Sequence, residues 1–183
     1  MEKIIDLRDL LVHEILDLYS AEEQIIEALP NMIEKASNME LKEALSTHLE
    51  VTRRQKDRLD KIKKVMMGEK GTENDESFFA TLFGDNASQK CKGTEGLIKE
   101  ADKMLEENMS PATRDAAIIG AAQKVEHYEI AGYGTAKAYA IELNLEFVAD
   151  ELEKTLAEEY DADDLLTKLA VGKVNIASEH ASA

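Results

Sequence analysis

Apolar residues recur at spacings of three and four over four long stretches of the chain. In the first, Leu7, Leu11, Ile15, Leu18, Ile25, Leu29 and Ile33 fall on one helical stripe, which predicts a helix over about 4–36. Pro30 lies near its end, where proline kinks a helix or stops it a turn early. A second stripe, Leu41, Leu45, Thr52, Gln55, Leu59, Ile62 and Met66, predicts a helix over 40–67, closed by Gly68 and Gly71. Ser110 followed by Pro111 is a strong start signal for a third, over 111–143, and Asn144 can take the left-handed conformation that ends it. A fourth, over 145–174, carries Leu152, Leu156, Leu166 and Leu169 or Ala170. Between the second and third the period fails over 68–92, apart from an apolar island, Phe78, Phe79, Leu82 and Phe83, expected to form a short helix capping one end. Another short helix is expected over about 94–107. Four helices of about 30 residues, each about 45 Å long, are what an antiparallel four-helix bundle needs.

Every one of these stripes is broken near its middle by a polar residue. Glu22 interrupts the first, His48 and Gln55 the second, Glu126 and Glu129 the third, and Glu159 with Asp163 the fourth. The third case is the sharpest, because Glu126 and Glu129 sit in the most apolar long segment, Ala116 to Leu143. Burying a carboxylate without a partner costs enough to force its protonation. Its partner is then a metal, a cationic side chain or water. Spacings of i,i+3 and i,i+4 put both carboxylates of a helix on one face, about 4.5 to 6 Å apart along the axis. Carboxylates from facing helices, helped by a histidine, can enclose two iron or manganese ions and leave open positions for dioxygen or peroxide.

Each intruder also has a plainer reading. Glu22 alone could be satisfied by a basic group or water, His48 by a core hydrogen bond, and the acidic run Glu158 to Asp164 by solvent. The recurrence on all four helices favours the metal. His127 projects about 100° away from Glu126 and is expected to face a neighbouring helix instead. Tyr19, Tyr128 and Tyr133 can pack with a hydroxyl free to reach a carboxylate. Gly120, Gly132 and Gly134 form a small-residue surface, suited to close packing within the bundle or across a dimer.

Composition agrees with an all-α protein. Of 183 residues, 44% are hydrophobic and 5% aromatic, with two prolines and no tryptophan, a length that suits one domain with a real core. The balance of 38 acidic and 22 basic residues, a net charge of -16, argues against nucleic acid or an anionic membrane as an obligatory partner. Cys91 is the only cysteine, so an intramolecular disulfide and a cysteine-rich zinc site are both excluded. The N-terminus, with Glu2, Asp6, Asp9 and Glu14, has neither signal-peptide nor transit-peptide character, and no run of 18 apolar residues exists. The expected location is the cytoplasm. No phosphate-binding glycine loop, nucleophile elbow or HExxH is present.

The segments DLYSAEEQ (17–24), THLEVTRRQ (47–55), KCKGTEGLIKEA (90–101), RDAAIIGAAQKVEHYEIAGYGT (114–135) and LAEEYDADDLLTKLA (156–170) resemble the YciF/YciE family of bacterial ferritin-like proteins. The resemblance covers nearly the whole chain outside 68–89. It implies a ferritin-like bundle, usually a homodimer, in a family associated with stress responses and without an established reaction. It also implies that the family's inward acidic positions fall on Glu22, Glu126, Glu129, Glu159 and Asp163. One departure stands out on the second helix. Where the family usually reads HLEET, this chain reads His48-Leu49-Glu50-Val51-Thr52, so valine occupies the place of a glutamate.

Two expectations follow. In one, the chain is a di-iron or di-manganese protein, an oxidase or peroxidase if active, with Glu22, His48, Glu126, Glu129, Glu159 and Asp163 around the metals. In the other, it is a helical structural or interaction protein with a metal-free polar core.

Overall fold

The structure is a computed structural model that describes residues 4–68 and 90–181. The apolar island Phe78–Phe83, expected to cap one end, lies outside the described residues. Helix α1 spans Leu7–Lys35, α2 Met39–Gly68, α3 Lys92–Leu105, α4 Pro111–Glu142 and α5 Glu146–Leu169. A π-helical turn, Ala170–Val174, then leads into a short α6, Asn175–Glu179.

The caps explain most of these boundaries. The Asp6 carboxylate accepts from Asp9 N (2.9 Å) at the start of α1, and the Asn38 side chain accepts from Leu41 N (3.0 Å) at the start of α2. Ser110 Oγ accepts from Thr113 N (3.2 Å), with Pro111 in the first turn of α4. Asn144 has φ 56°, the left-handed conformation, and Leu145 N turns back to Ala140 O (2.9 Å). Pro30 is exposed and α1 runs on past it to Lys35, so the helix does not end early there. The fourth long helix continues in its path beyond 174, through the π turn, because Ala170 and Val174 bury their side chains where the turn packs back on the bundle.

The four long helices form a ring in which α1 packs on α2 and α4, and α5 packs on α2 and α4. Their directions follow from what each end buries. Leu11, Ile15 and Leu18 near the start of α1 cluster with Leu59, Ile62 and Met66 near the end of α2. The same cluster takes in Tyr133, Ala136 and Ala140 from the end of α4, and Val148 and Leu152 from the start of α5. Neighbours in the ring are therefore antiparallel, whereas α2 and α4 run the same way and need a long crossover, in which α3 lies against α1 and α4. This is the ferritin-like, all-α bundle. A second apolar cluster, built on Ile25, Leu29, Leu41, Leu45, Ile118, Ile119 and Leu166, fills the other end.

Between the two apolar clusters lies a polar layer at mid-height. One further polar contact ties the bundle's far end. Asp115, 4% exposed on α4, accepts from Ser37 N (2.6 Å) and Asn38 N (2.9 Å), so its carboxylate holds the α1–α2 turn against α4. Among the described residues no helix is long and apolar enough to cross a membrane.

Candidate metal centre

The mid-height layer draws on all four long helices. Glu22 of α1, Glu126 and Glu129 of α4 and Glu159 of α5 are each 2% exposed or less. From α2 come His48, Thr52 and Gln55. His48, Glu126, Glu129 and Glu159 each present one ligand atom, and these atoms all lie within 4.8 Å of one another.

What the carboxylates lack is as informative as what they contact. The oxygens Glu22 Oε2, Glu126 Oε2, Glu129 Oε1 and Glu159 Oε2 are all buried and none receives a hydrogen bond from a standing donor, although Glu126 and Glu159 lie close enough to share a proton. Buried polar atoms are ordinarily satisfied, and four orphaned carboxylate oxygens in one layer are a large departure from that rule. Burial, followed by the charge of Glu159, pushes Glu22, Glu126 and Glu129 well above the usual carboxylate range. Burial likewise pushes Glu159 up to about 7. His48 moves the other way, down to about 4, because burial disfavours its cation. His48 Nε2 faces Glu126 Oε1 at 3.3 Å, and burial disfavours the charged form of both groups.

Two of the remaining oxygens are held in place. Tyr133, fully buried on α4, donates its hydroxyl to Glu22 Oε1, and the Gln55 amide donates to Glu159 Oε1. Arg58 stands beside the layer, donating to Thr155 Oγ1 (2.6 Å) and to both oxygens of Glu158 (2.9 and 3.1 Å). Its charge lowers Glu22 and Glu159 slightly but meets neither directly. Glu22 and Glu159 are thus oriented by neutral donors, and each of the four carboxylates has one oxygen left over. The three carboxylates and one imidazole that converge, with Glu22 in the same layer and no thiolate, are a donor set that could hold a divalent metal ion.

Asp163 lies outside this group. Its Oδ1 accepts from Gln123 Nε2 (2.9 Å) and approaches His127 Nε2 (3.4 Å), both on α4, and its side chain is 23% exposed. The four-residue step from Glu159 turns the helix about 400°, and the extra 40° carries Asp163 toward the α4 flank. His127 faces that flank, as its 100° offset from Glu126 requires. Gly132 packs inward, where a Cβ would meet Leu18 Cδ2 at 2.8 Å, so this part of the small-residue surface serves the α1–α4 contact. Val51 is half-buried and lines a cavity beside His48 and Glu126.

A second polar cluster adjoins the layer, and reading the sequence alone did not assemble it. Asp17 Oδ2 accepts from Tyr128 OH (2.7 Å) and from Cys91 Sγ (3.0 Å), and that sulfur lies 3.1 Å from the same hydroxyl. Cys91 N donates to Ser20 Oγ (2.9 Å), and Gln24 Nε2 donates to Cys91 O (3.0 Å). Cys91 also caps α3, its sulfur accepting from Thr94 N (3.5 Å). Gly93 makes the approach feasible, since a Cβ there would lie 2.5 Å from Tyr128 Cε2. The available signal was the joint presence of Asp17, Ser20, Cys91 and Gly93 in the resembling segments, with Tyr128 beside Glu129.

The sequence matches the family described as "Domain of unknown function (DUF892)" over residues 6–77 and 64–179. It is 38% identical over 174 residues to Protein YciF of Escherichia coli strain K12, covering 95% of this chain and 96% of that protein. The crystal structure of the E. coli stress protein YciF superposes with a TM-score of 0.80 at 38% identity, covering 94% of this chain and 99% of that one. YcfI from Rhodopseudomonas palustris gives a TM-score of 0.78 at 40% identity, covering 91% of this chain and 96% of the other.

Proposed function

The chain belongs to the DUF892 family of YciF-like helical proteins, and we propose that it is a metal-binding member whose carboxylate layer holds iron or manganese. One observation carries this reading: four buried carboxylate oxygens, on three helices, have no hydrogen-bond partner. Among the described residues no basic side chain bonds to these carboxylates. A divalent cation would take the lone pairs that the protein leaves empty and reverse the unfavourable crowding of like charge.

Glu126, Glu129, Glu159 and His48 would be the ligands, with Glu22 as a further carboxylate. Bound iron or manganese supplies one-electron chemistry toward oxygen or peroxide. The protein's own contribution is orientation and exclusion of water. Tyr133 and Gln55 each fix one carboxylate oxygen so that the other remains available, and the apolar clusters above and below keep the layer dry. His48 is already in the neutral form that binds metal. Asp163 is engaged with Gln123 and His127, which removes it from the proposed ligand set.

Metal analysis of protein purified without chelator tests the proposal, alongside the melting temperature with and without EDTA. A folded state that binds metal must lose stability when the metal is withdrawn. Fewer than about one iron or manganese ion per five chains, together with a melting temperature indifferent to EDTA, would overturn the reading in favour of a metal-free polar core. An Fe(II) oxidation assay, with Glu126→Ala as control, then asks whether the bound metal is reactive.

A further inference from the structure

A cavity of about 220 Å³ lies between α2 and α5, walled by Ala44, Leu45 and Val51 on one side and Ala162, Leu165 and Leu166 on the other. It leads from the surface to the carboxylate layer. At its outer end Leu165 and Asp161 are exposed, while at its inner end it is closed by His48 and by Glu126, a side chain 2% exposed. Glu126 also carries one of the oxygens that lack a hydrogen-bond partner. An apolar passage that ends on an unsatisfied, fully buried carboxyl is an unusual thing for a bundle to leave unfilled.

From this arrangement we propose that the cavity is the substrate subsite of the carboxylate centre, admitting a neutral small molecule with one apolar ring and one hydroxyl group. The proposal rests on the metal-binding reading. Size supports the ring, because a dry cavity of about 150 Å³ is enough to take up benzene. The six aliphatic walls support an apolar body, held by burial alone. The hydroxyl is set by the inner end, since Glu126 can only accept a hydrogen bond when ionised, and a hydroxyl both donates to a carboxylate and offers an oxygen to a metal. Charge excludes anions: Glu126, Glu158 and Asp161 all line the passage, in a chain of net charge -16. Val51 is the residue that leaves the passage open. A longer side chain at that point, next to His48 and Glu126, would occupy it.

The test uses 4-fluorophenol as probe and fluorine NMR as readout, on full-length protein loaded with Mn(II) and on the same protein stripped with EDTA, with metal content measured on every sample. Saturable binding to both forms is expected, with the bound fluorine resonance broadened by Mn(II) only in the loaded form. The anionic probe 4-fluorobenzoate should not bind. Ala162→Leu and Ala44→Leu, both favourable in a helix and each filling one wall, should weaken fluorophenol by about tenfold or more while leaving manganese content unchanged. Two independent variants guard against one of them misfolding. Failure of manganese-loaded protein to bind fluorophenol, or binding without broadening, or binding indifferent to both wall variants, overturns the subsite while the metal reading stands. Absence of uptake of both manganese and iron overturns the metal reading and the subsite with it.

Discussion

Two polar clusters, one half-buried and one buried, share the same two helices and reach opposite ends of satisfaction. Asp17 and Tyr128 belong to one, Glu22 and Glu129 to the other, so that adjacent positions on α4 and a step of five residues on α1 separate them. In the first, a single carboxylate receives both a tyrosine hydroxyl and a thiol, and the surrounding serine, threonine and glutamine close the network. In the second, four carboxylates receive one tyrosine and one amide, and four oxygens receive no standing donor. The difference shows that the bundle has donors and places them elsewhere. A structural network is built by satisfying every member, and the carboxylate layer departs from that pattern, which is what the metal-binding proposal rests on.

The comparison breaks most visibly with pH. In metal-free protein the folded pKa values of Glu22, Glu126 and Glu129 are raised, so folding retains protons that the unfolded chain has lost above the ordinary carboxylate value of 4.5. Their contribution is full below that value and is lost as pH rises toward the folded values. His48, lowered to about 4, acts oppositely, but its effect is complete by its unfolded value of 6.5. Above pH 6.5 the glutamates therefore act without it. Each proton retained costs about 1.4 kcal/mol per pH unit. Chemical denaturation after EDTA treatment should show stability falling as pH rises above 6.5, and added Mn(II) should flatten the slope. A metal-free protein whose stability does not fall over that rise would show that the layer is satisfied after all.

The two clusters should also answer an amide substitution in opposite ways. Glu129→Gln removes a buried ionisable group, so the metal-free protein at pH 8 should gain about 1–2 kcal/mol while manganese affinity falls about 100-fold. Asp17→Asn should instead lose about 1–2 kcal/mol, because Tyr128 and Cys91 lose a charged acceptor. Denaturant midpoints and metal titration check both signs.

Gly93→Ala tests how tightly the satisfied cluster is built. A methyl group 2.5 Å from the Tyr128 ring must displace it, costing about 2 kcal/mol and weakening the hold of α3 on the bundle. Hydrogen exchange should rise first in Lys92–Leu105. Tyr128→Phe is the mildest change. Cys91 still donates to Asp17, so about 1 kcal/mol is expected, with metal content unaffected. Loss of metal in that variant would show that the two clusters are one functional unit.

Much of the bundle was legible from periodicity, as the caps at Ser110 and Asn144 illustrate, because each depends on residues close in sequence. The Asp115 carboxylate was not, since its partners at Ser37 and Asn38 come from a different helix hairpin. The candidate site divides in the same way. That Glu22, His48, Gln55, Glu126, Glu129 and Glu159 interrupt apolar stripes is visible in the chain, but Asp163 interrupts one equally and turns to Gln123 and His127.

By itself the sequence determined the helices, their lengths and the height at which each apolar stripe yields to a polar residue, because these follow from a repeat of 3.6 residues along one axis. Only the tertiary structure decided which oxygens are left without standing donors, that Cys91 and Asp17 meet at Tyr128, and that Val51 and Glu126 line one cavity. Those depend on the rotation of each helix relative to its neighbours. That rotation is fixed by packing among residues far apart in the chain, and no local spacing encodes it.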